Sequence, residues 1–150
     1  MELILWRHAD AQDGENDMAR ELTAKGRKQA TIIANWLRGR LPEMTRILVS
    51  PAARAIQTAD ALDMEYEVIA DIAPGALGER ALSAAGWPDA RGCVLLVGHQ
   101  PTLGEAASLL LFGETRAMNL KKAGLLWLTN RVRGGQTQTI LKAAMSPETV

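Results

Sequence analysis

The 150 residues include one cysteine, one tyrosine, one phenylalanine and two histidines. Cys93 alone cannot close an internal disulfide, and no cysteine cluster exists for a structural zinc. A reducing cytoplasm is the compartment that such usage fits. Neither sign of charge is in excess: 17 basic and 17 acidic side chains give a formal net charge of zero. That balance gives no electrostatic reason to expect a nucleic acid or an anionic membrane as partner. Long hydrophobic runs are missing too. Leu3-Ile4-Leu5-Trp6 is too short for a signal h-region and has no basic flank before it. The uncharged stretch from Ala106 to Gly113 falls far short of a membrane span. No G-x-x-x-x-G-K-[ST] phosphate loop, no dinucleotide G-x-G-x-x-G and no internal repeat occurs. What is present, 47% apolar and 23% charged residues, is the make-up of a globular chain sized for a single domain over residues 1–150.

Short β-type runs alternate with helical patterns. Leu3 to Trp6, Ile47 to Val49 and Val94 to Val97 are apolar throughout, as strands buried on both faces of a parallel sheet are. A polar loop from Ala11 to Arg20 follows the first run. Thr23 is placed to cap a helix whose residues Ala30, Ile33, Ala34 and Leu37 form one apolar stripe, with Pro42 ending it. Ser50-Pro51 reads as a helix start, serine as N-cap and proline at N1, with Ala52, Ala55, Ile56 and Ala59 on one face. A weaker strand over Tyr66 to Ile69 and a Pro74-Gly75 turn come next. A short helix is expected over Glu79 to Ala85, before Gly86-Trp87-Pro88. Pro101 leads another helix, with Leu103, Ala106, Ala107 and Leu110 as its stripe. Leu125 to Thr129 and Thr137 to Leu141 read as strands joined across Gly134-Gly135. The alternation predicts an α/β three-layer sandwich with a mostly parallel central sheet flanked by helices.

In such sheets ligands bind beyond the carboxyl ends of the strands. The first strand ends in Arg7-His8, the second in Ser50-Pro51 with Arg54 one turn later, the third in Gly98-His99. Both histidines of the chain therefore stand where a strand gives way. An arginine in the first turn of a helix is disfavoured by about 0.3–1 kcal/mol, unless it swings into water or meets an anion. Helix N-termini and guanidinium forks both suit phosphate. Two arginines, two histidines and two helix starts at one sheet edge would make a pocket for a phosphate dianion. A zinc site from both histidines and Asp10 is disfavoured by the repulsion of Arg7 and Arg54, so no metal and no cofactor is expected. Ser50 is better used as a cap and Cys93 as a small core residue than as nucleophiles. A histidine can itself be the nucleophile if it stays neutral, which adjacent arginines favour.

At this point the residues reach a resemblance. Arg7-His8-Ala9 resembles the Arg-His-Gly or Arg-His-Ala signature of the histidine phosphatase superfamily, whose fold is phosphoglycerate mutase-like. Leu22-Thr23-x-x-Gly26-x-x-Gln29-Ala30 is similar to its first-helix pattern. Ser50-Pro51-x-x-Arg54-x-x-Gln57-Thr58-Ala59 is similar to its second block. Val97-Gly98-His99-Gln100-Pro101 resembles its second-histidine block, where asparagine more often precedes the proline. The order and spacing agree from residue 3 to about 110. The brevity of the chain resembles the compact, SixA-like phosphohistidine phosphatase branch, which lacks a large inserted cap. The resemblance implies a phosphoenzyme on His8, with phosphate held by Arg7, Arg54 and His99.

Relatives acting on small phosphate esters usually carry segments that roof the site and an acidic proton donor. Short connections leave this chain little room for a roof. An alcohol leaving group needs a proton, whereas a phosphorylated imidazole protonated on its other nitrogen leaves as neutral imidazole. The expectation is a hydrolase acting on phosphohistidine of a protein, such as a phosphotransfer domain or phosphocarrier. The alternatives are a small-molecule phosphomonoesterase and a non-catalytic phosphate-binding adaptor. Glu79 and Asp10 are the candidate proton donors, although each reads more readily as a solvated surface carboxylate. Lys121 and Lys122 read either as a docking point for an acidic partner or as a solvated basic pair.

Overall fold

The structure, a computed structural model, describes residues 1–150. Leu3, Ile4, Leu5 and Trp6 are all fully buried, as a run apolar on both faces requires. They lie in β1 (Glu2–Arg7), inside a six-stranded sheet with β2 (Thr45–Val49), β3 (Glu67–Val68), β4 (Cys93–Gly98), β5 (Leu125–Arg133) and β6 (Gln136–Met145). The order is β3-β2-β4-β1-β5-β6. The first four strands run parallel, and β5 and β6 are antiparallel.

Side chains of successive strand residues point to opposite faces, so each buried strand feeds two cores. Ile4, Trp6, Ile47, Val49, Leu95 and Val97 face α1 (Ala24–Arg38) and α2 (Ala53–Asp60). Leu3, Leu5, Leu48, Val94 and Leu96 face α3 (Gly78–Ala85) and α4 (Thr102–Phe112). The result is the expected three-layer arrangement.

The stripe Ala30, Ile33, Ala34 and Leu37 of α1 is wholly buried, and Thr23 caps the helix by accepting from Gly26 N at 2.9 Å. The helix stops at Arg38, before Pro42 can end it. α3 closes on Gly86 in the left-handed region, φ 73°. The β5–β6 hairpin is longer than its apolar stretches suggest. Its turn residues Gly134 and Gly135 have φ of 59° and 76°, which glycine adopts without the strain of a side chain and which a two-residue hairpin needs. The outer half, Asn130 to Thr139, is polar and largely exposed, so it carries no apolar signal for a strand. No helix is long and apolar enough to cross a membrane.

Candidate active site

The sheet register brings the strand ends together. Arg7 of β1 lies opposite Gly98 of β4, and Val97 of β4 opposite Val49 of β2. Beyond each strand the backbone stays locked: His8 N donates to Gly98 O at 2.9 Å and Ser50 N to Val97 O at 3.0 Å. His8 and His99 face each other, with ring centroids 5.1 Å apart and planes tilted by 52°. Arg54, in the first turn of α2, is 4% exposed. Both arginine charges reach both imidazoles. The four side chains singled out in the sequence thus share one place.

Their hydrogen bonds to protein are few and one-sided. His8 Nδ1 donates to Ala9 O at 2.7 Å, since a carbonyl can only accept. No protein group bonds its Nε2. Arg7 Nη1 donates to Leu120 O at 2.7 Å. Arg54 donates to the carbonyl of Asp17 at 2.7 Å and to its carboxylate at 3.2 Å. His99 Nε2 is 2.6 Å from Ser50 Oγ. Arg7 Nε, Arg54 Nε and His99 Nδ1 are buried without a partner in the protein, and no other buried side-chain nitrogen or oxygen is. An unpaired buried donor costs about 1–3 kcal/mol; the two guanidinium nitrogens are such donors, and His99 Nδ1 is one when its ring carries the proton there.

Burial is the first cause that pushes the His8 pKa down to about 4; Arg54 and Arg7 add to it, against the bond to Ala9 O. His99 is pushed down to about 3 by burial first, then by His8 and Arg54. Both rings are therefore neutral near pH 7. The arginines, which the sequence points to for His8, add to a larger effect of desolvation.

The loop between β1 and α1 is stapled from outside. Ala9 N donates to Thr58 Oγ1 at 3.0 Å, Asp10 N to Gln29 Oε1 at 2.9 Å, and Leu22 N to Gln57 Oε1 at 2.8 Å. The glutamines and threonine of the sequence blocks thus hold backbone amides of the loop that follows His8. Gln100 does the same on the other flank. Its Oε1 accepts from Gly104 N at 2.9 Å and its Nε2 donates to Met118 O at 2.7 Å. This holds the segment whose Leu120 carbonyl fixes Arg7. A Cβ at Gly104 would stand 1.8 Å from Met118 O, so the segment's approach depends on glycine there.

Ser50 departs from expectation, and the other candidates take the following places. Ser50 does not cap α2: the N-cap is Ala52, without a side-chain bond, and the Ser50 hydroxyl serves His99 instead. Asp10 is no free acid. It accepts from Thr23 Oγ1 at 2.7 Å and pairs with Lys122 at 2.6 Å, and the Lys122 bond holds its carboxyl below the usual range. Glu79 is exposed in the first turn of α3. Lys121 pairs with Glu148 at 3.4 Å, so neither lysine of the pair is an unpaired cation. Cys93 is buried, with its thiol pushed up to about 11 by burial, as fits a core residue. Asp17 went unnoticed because it is one of several acids in a polar loop. Gln100 could have been found from its place beside His99.

Comparison with known proteins agrees with this geometry. Residues 3–82 match the histidine phosphatase superfamily (branch 1). An uncharacterized protein of Picosynechococcus is 38% identical over 93% of this chain and 91% of its own length. Phosphohistidine phosphatase SixA of Escherichia coli is 35% identical over 79% of each chain. A structure of the protein histidine phosphatase SixA complexed with tungstate superposes with a TM-score of 0.77 at 28% identity, covering 98% of this chain and 97% of the other. By its sequence blocks, its fold and these relatives, the chain belongs to the histidine phosphatase superfamily, in the SixA-like branch.

Proposed function

We propose that this protein is a phosphatase that removes phosphate from phosphohistidine on another protein, through a phosphoenzyme formed on His8. The observation that carries the reading is the grouping of Arg7, Arg54 and His99, each with a buried nitrogen that lacks a partner in the protein, about the neutral imidazole of His8. Supporting it are relatives named as phosphohistidine phosphatases, one of them holding the tetrahedral oxyanion tungstate.

His8 keeps its proton on Nδ1, bonded to Ala9 O, so Nε2 presents a lone pair. Nε2 attacks phosphorus as the phosphorus–nitrogen bond of the substrate breaks. The leaving imidazole, protonated on its other nitrogen, departs neutral. Arg7, Arg54 and His99 donate to the phosphoryl oxygens, and such positioning and charge stabilisation is most of what phosphoryl transfer needs. Water then attacks phosphorus, the bond to His8 Nε2 breaks, and the protons of water leave with phosphate or pass to solvent. No strong acid is required, in keeping with Asp10 tied to Lys122 and Glu79 turned to solvent.

A protein substrate suits the surroundings. Met18, next to Asp17, and Leu77, at the start of α3, are exposed apolar side chains. A groove with Leu120, Leu126 and Met145 in its lining includes the residue whose carbonyl holds Arg7. The test is incubation with a histidine-phosphorylated carrier protein from the cytoplasm, the compartment we assign to the enzyme. Phosphate loss should exceed that in buffer and vanish with His8→Ala. Loss no faster than in buffer across a panel of carriers, with efficient turnover of sugar or nucleotide phosphates, would overturn the substrate reading in favour of a small-molecule phosphomonoesterase.

A further inference from the structure

Ser50 and His99 are 49 residues apart in sequence, yet their side chains meet at 2.6 Å with both residues buried. We propose that Ser50 is a positioning residue: its hydroxyl donates to His99 Nε2, fixes the proton of the neutral ring on Nδ1, and so aims a hydrogen-bond donor at the phosphoryl group. The nature of the anion and its repulsion by a lone pair rest on the proposed function; the inventory of the serine's proton rests on geometry.

A proton inventory decides the direction of the bond. A serine hydroxyl has one proton and two lone pairs, and a neutral imidazole has one N–H and one acceptor nitrogen. Ala52 N donates to Ser50 Oγ at 3.3 Å, which takes up a lone pair. The only acceptor within reach of the hydroxyl proton is His99 Nε2. The opposite arrangement, with Nε2–H donating to Oγ, would leave the hydroxyl proton buried without an acceptor. It would also leave a bare lone pair on Nδ1, repelling any phosphoryl oxygen held by the arginines. The arrangement with Ser50 as donor avoids both faults and leaves one unpaired group, Nδ1–H, which is the buried nitrogen without a partner. A ring protonated on both nitrogens is disfavoured by its burial and by the cations around it.

Ser50 is free for this work because α2 does not use it. That helix starts one residue past Ala52 with no side-chain cap. The serine of the second sequence block thus acts on His99 of the second-histidine block, through one bond between the ends of adjacent strands β2 and β4.

Long-range proton–nitrogen correlation spectra of uniformly ¹⁵N-labelled protein read the tautomer directly, and with two histidines in the chain a His8→Ala sample assigns them. The wild type should show His99 with a protonated Nδ1 and an unprotonated Nε2, with and without tungstate. Ser50→Ala should lose that preference and bind tungstate about tenfold more weakly, the worth of one hydrogen bond. Ser50→Thr, which keeps a hydroxyl, should retain the wild-type tautomer. A protonated Nε2 in the wild type, or unchanged His99 nitrogen shifts in Ser50→Ala, would overturn the proposal. Wild type that releases no phosphate from any carrier while showing the Nδ1 proton would overturn the proposed function and uphold the role of Ser50.

Discussion

At the end of β1 the imidazole of His8 is tied through Nδ1 to the carbonyl of its neighbour Ala9; at the end of β4 that of His99 is tied through Nε2 to a side chain from β2's end. Opposite nitrogens are engaged, so opposite nitrogens are free: Nε2 on His8, Nδ1 on His99. The first tie is to backbone and can only accept, which leaves a lone pair on the free nitrogen. The second is to a hydroxyl, which can give or take. In the proposed mechanism two identical side chains 5.1 Å apart thereby do different work, one as nucleophile and one as donor. The difference lies in what holds the far side of each ring, since both rings are buried and kept neutral by the same causes.

The largest effect should come from removing one ring at a time. His8→Ala should abolish acid-labile, base-stable labelling by a phosphodonor and cut turnover by more than about 10⁴-fold, the scale of losing a nucleophile. His99→Ala should still label, more slowly, if the role of His99 is, as proposed, to hold oxygen rather than to form a bond. Rapid-quench labelling of the two variants checks this; equal labelling of both would erase the distinction between the strand ends.

Arg54 acts on both rings and should come next. Arg54→Ala removes a donor to the phosphoryl oxygens, and kcat should fall about 10²–10³-fold, as for a lost oxyanion donor. Both histidine pKa values should also rise, because the arginine charge lowers each. A titration followed by NMR in which only one ring responds would show that the guanidinium serves one strand end alone.

These elements differ in how far they were legible in the sequence. The parallel strands and the stripe of α1 were plain because burial on two faces, or on one, leaves an apolar period. The four candidate side chains could be singled out because each stands at or soon after the end of a buried strand and falls in a recognisable block. The outer half of β5–β6 was hidden because its side chains face water on both sides, so its strand character rests on a hairpin turn and backbone bonds. Ser50 was misread since serine before proline is an ordinary cap, and its real partner lies 49 residues away. Long-range pairing of single polar atoms leaves no periodic trace.

Acid should expose the shared burial of the two rings. An unfolded histidine titrates near 6.5, whereas His8 and His99 in the fold titrate near 4 and 3. Between those values the unfolded chain binds protons that the folded one does not. Stability is thus full above about pH 6.5 and falls as pH drops toward 4. Across that window each histidine costs about 1.4 kcal/mol per pH unit. Denaturant unfolding at stepped pH should show this decline, and the double variant His8→Ala, His99→Ala should flatten it. A decline of the same slope in the double variant would assign it to carboxylates instead.

The smallest effect should come from Asp17, whose charge bears on the β4 end. Its carboxylate, 54% exposed, lies 3.2 Å from Arg54 and 3.1 Å from Arg20, and the bond from Arg20, then that from Arg54, holds its pKa below the usual range. It therefore stays anionic at neutral pH and offsets the cations felt by His99. Asp17→Asn keeps the shape and removes the charge, while the Asp17 carbonyl still holds Arg54 at 2.7 Å. Exposed pairs of this kind contribute about 0–1 kcal/mol, so stability should change little. Tungstate should bind about two- to fivefold more tightly at low salt, since a competing anion has gone, and the gain should shrink as salt screens the field. Titration calorimetry at two ionic strengths measures both. Weaker binding at either would mean that Asp17 serves to set the guanidinium in place, and that the acid loop is part of the pocket's frame.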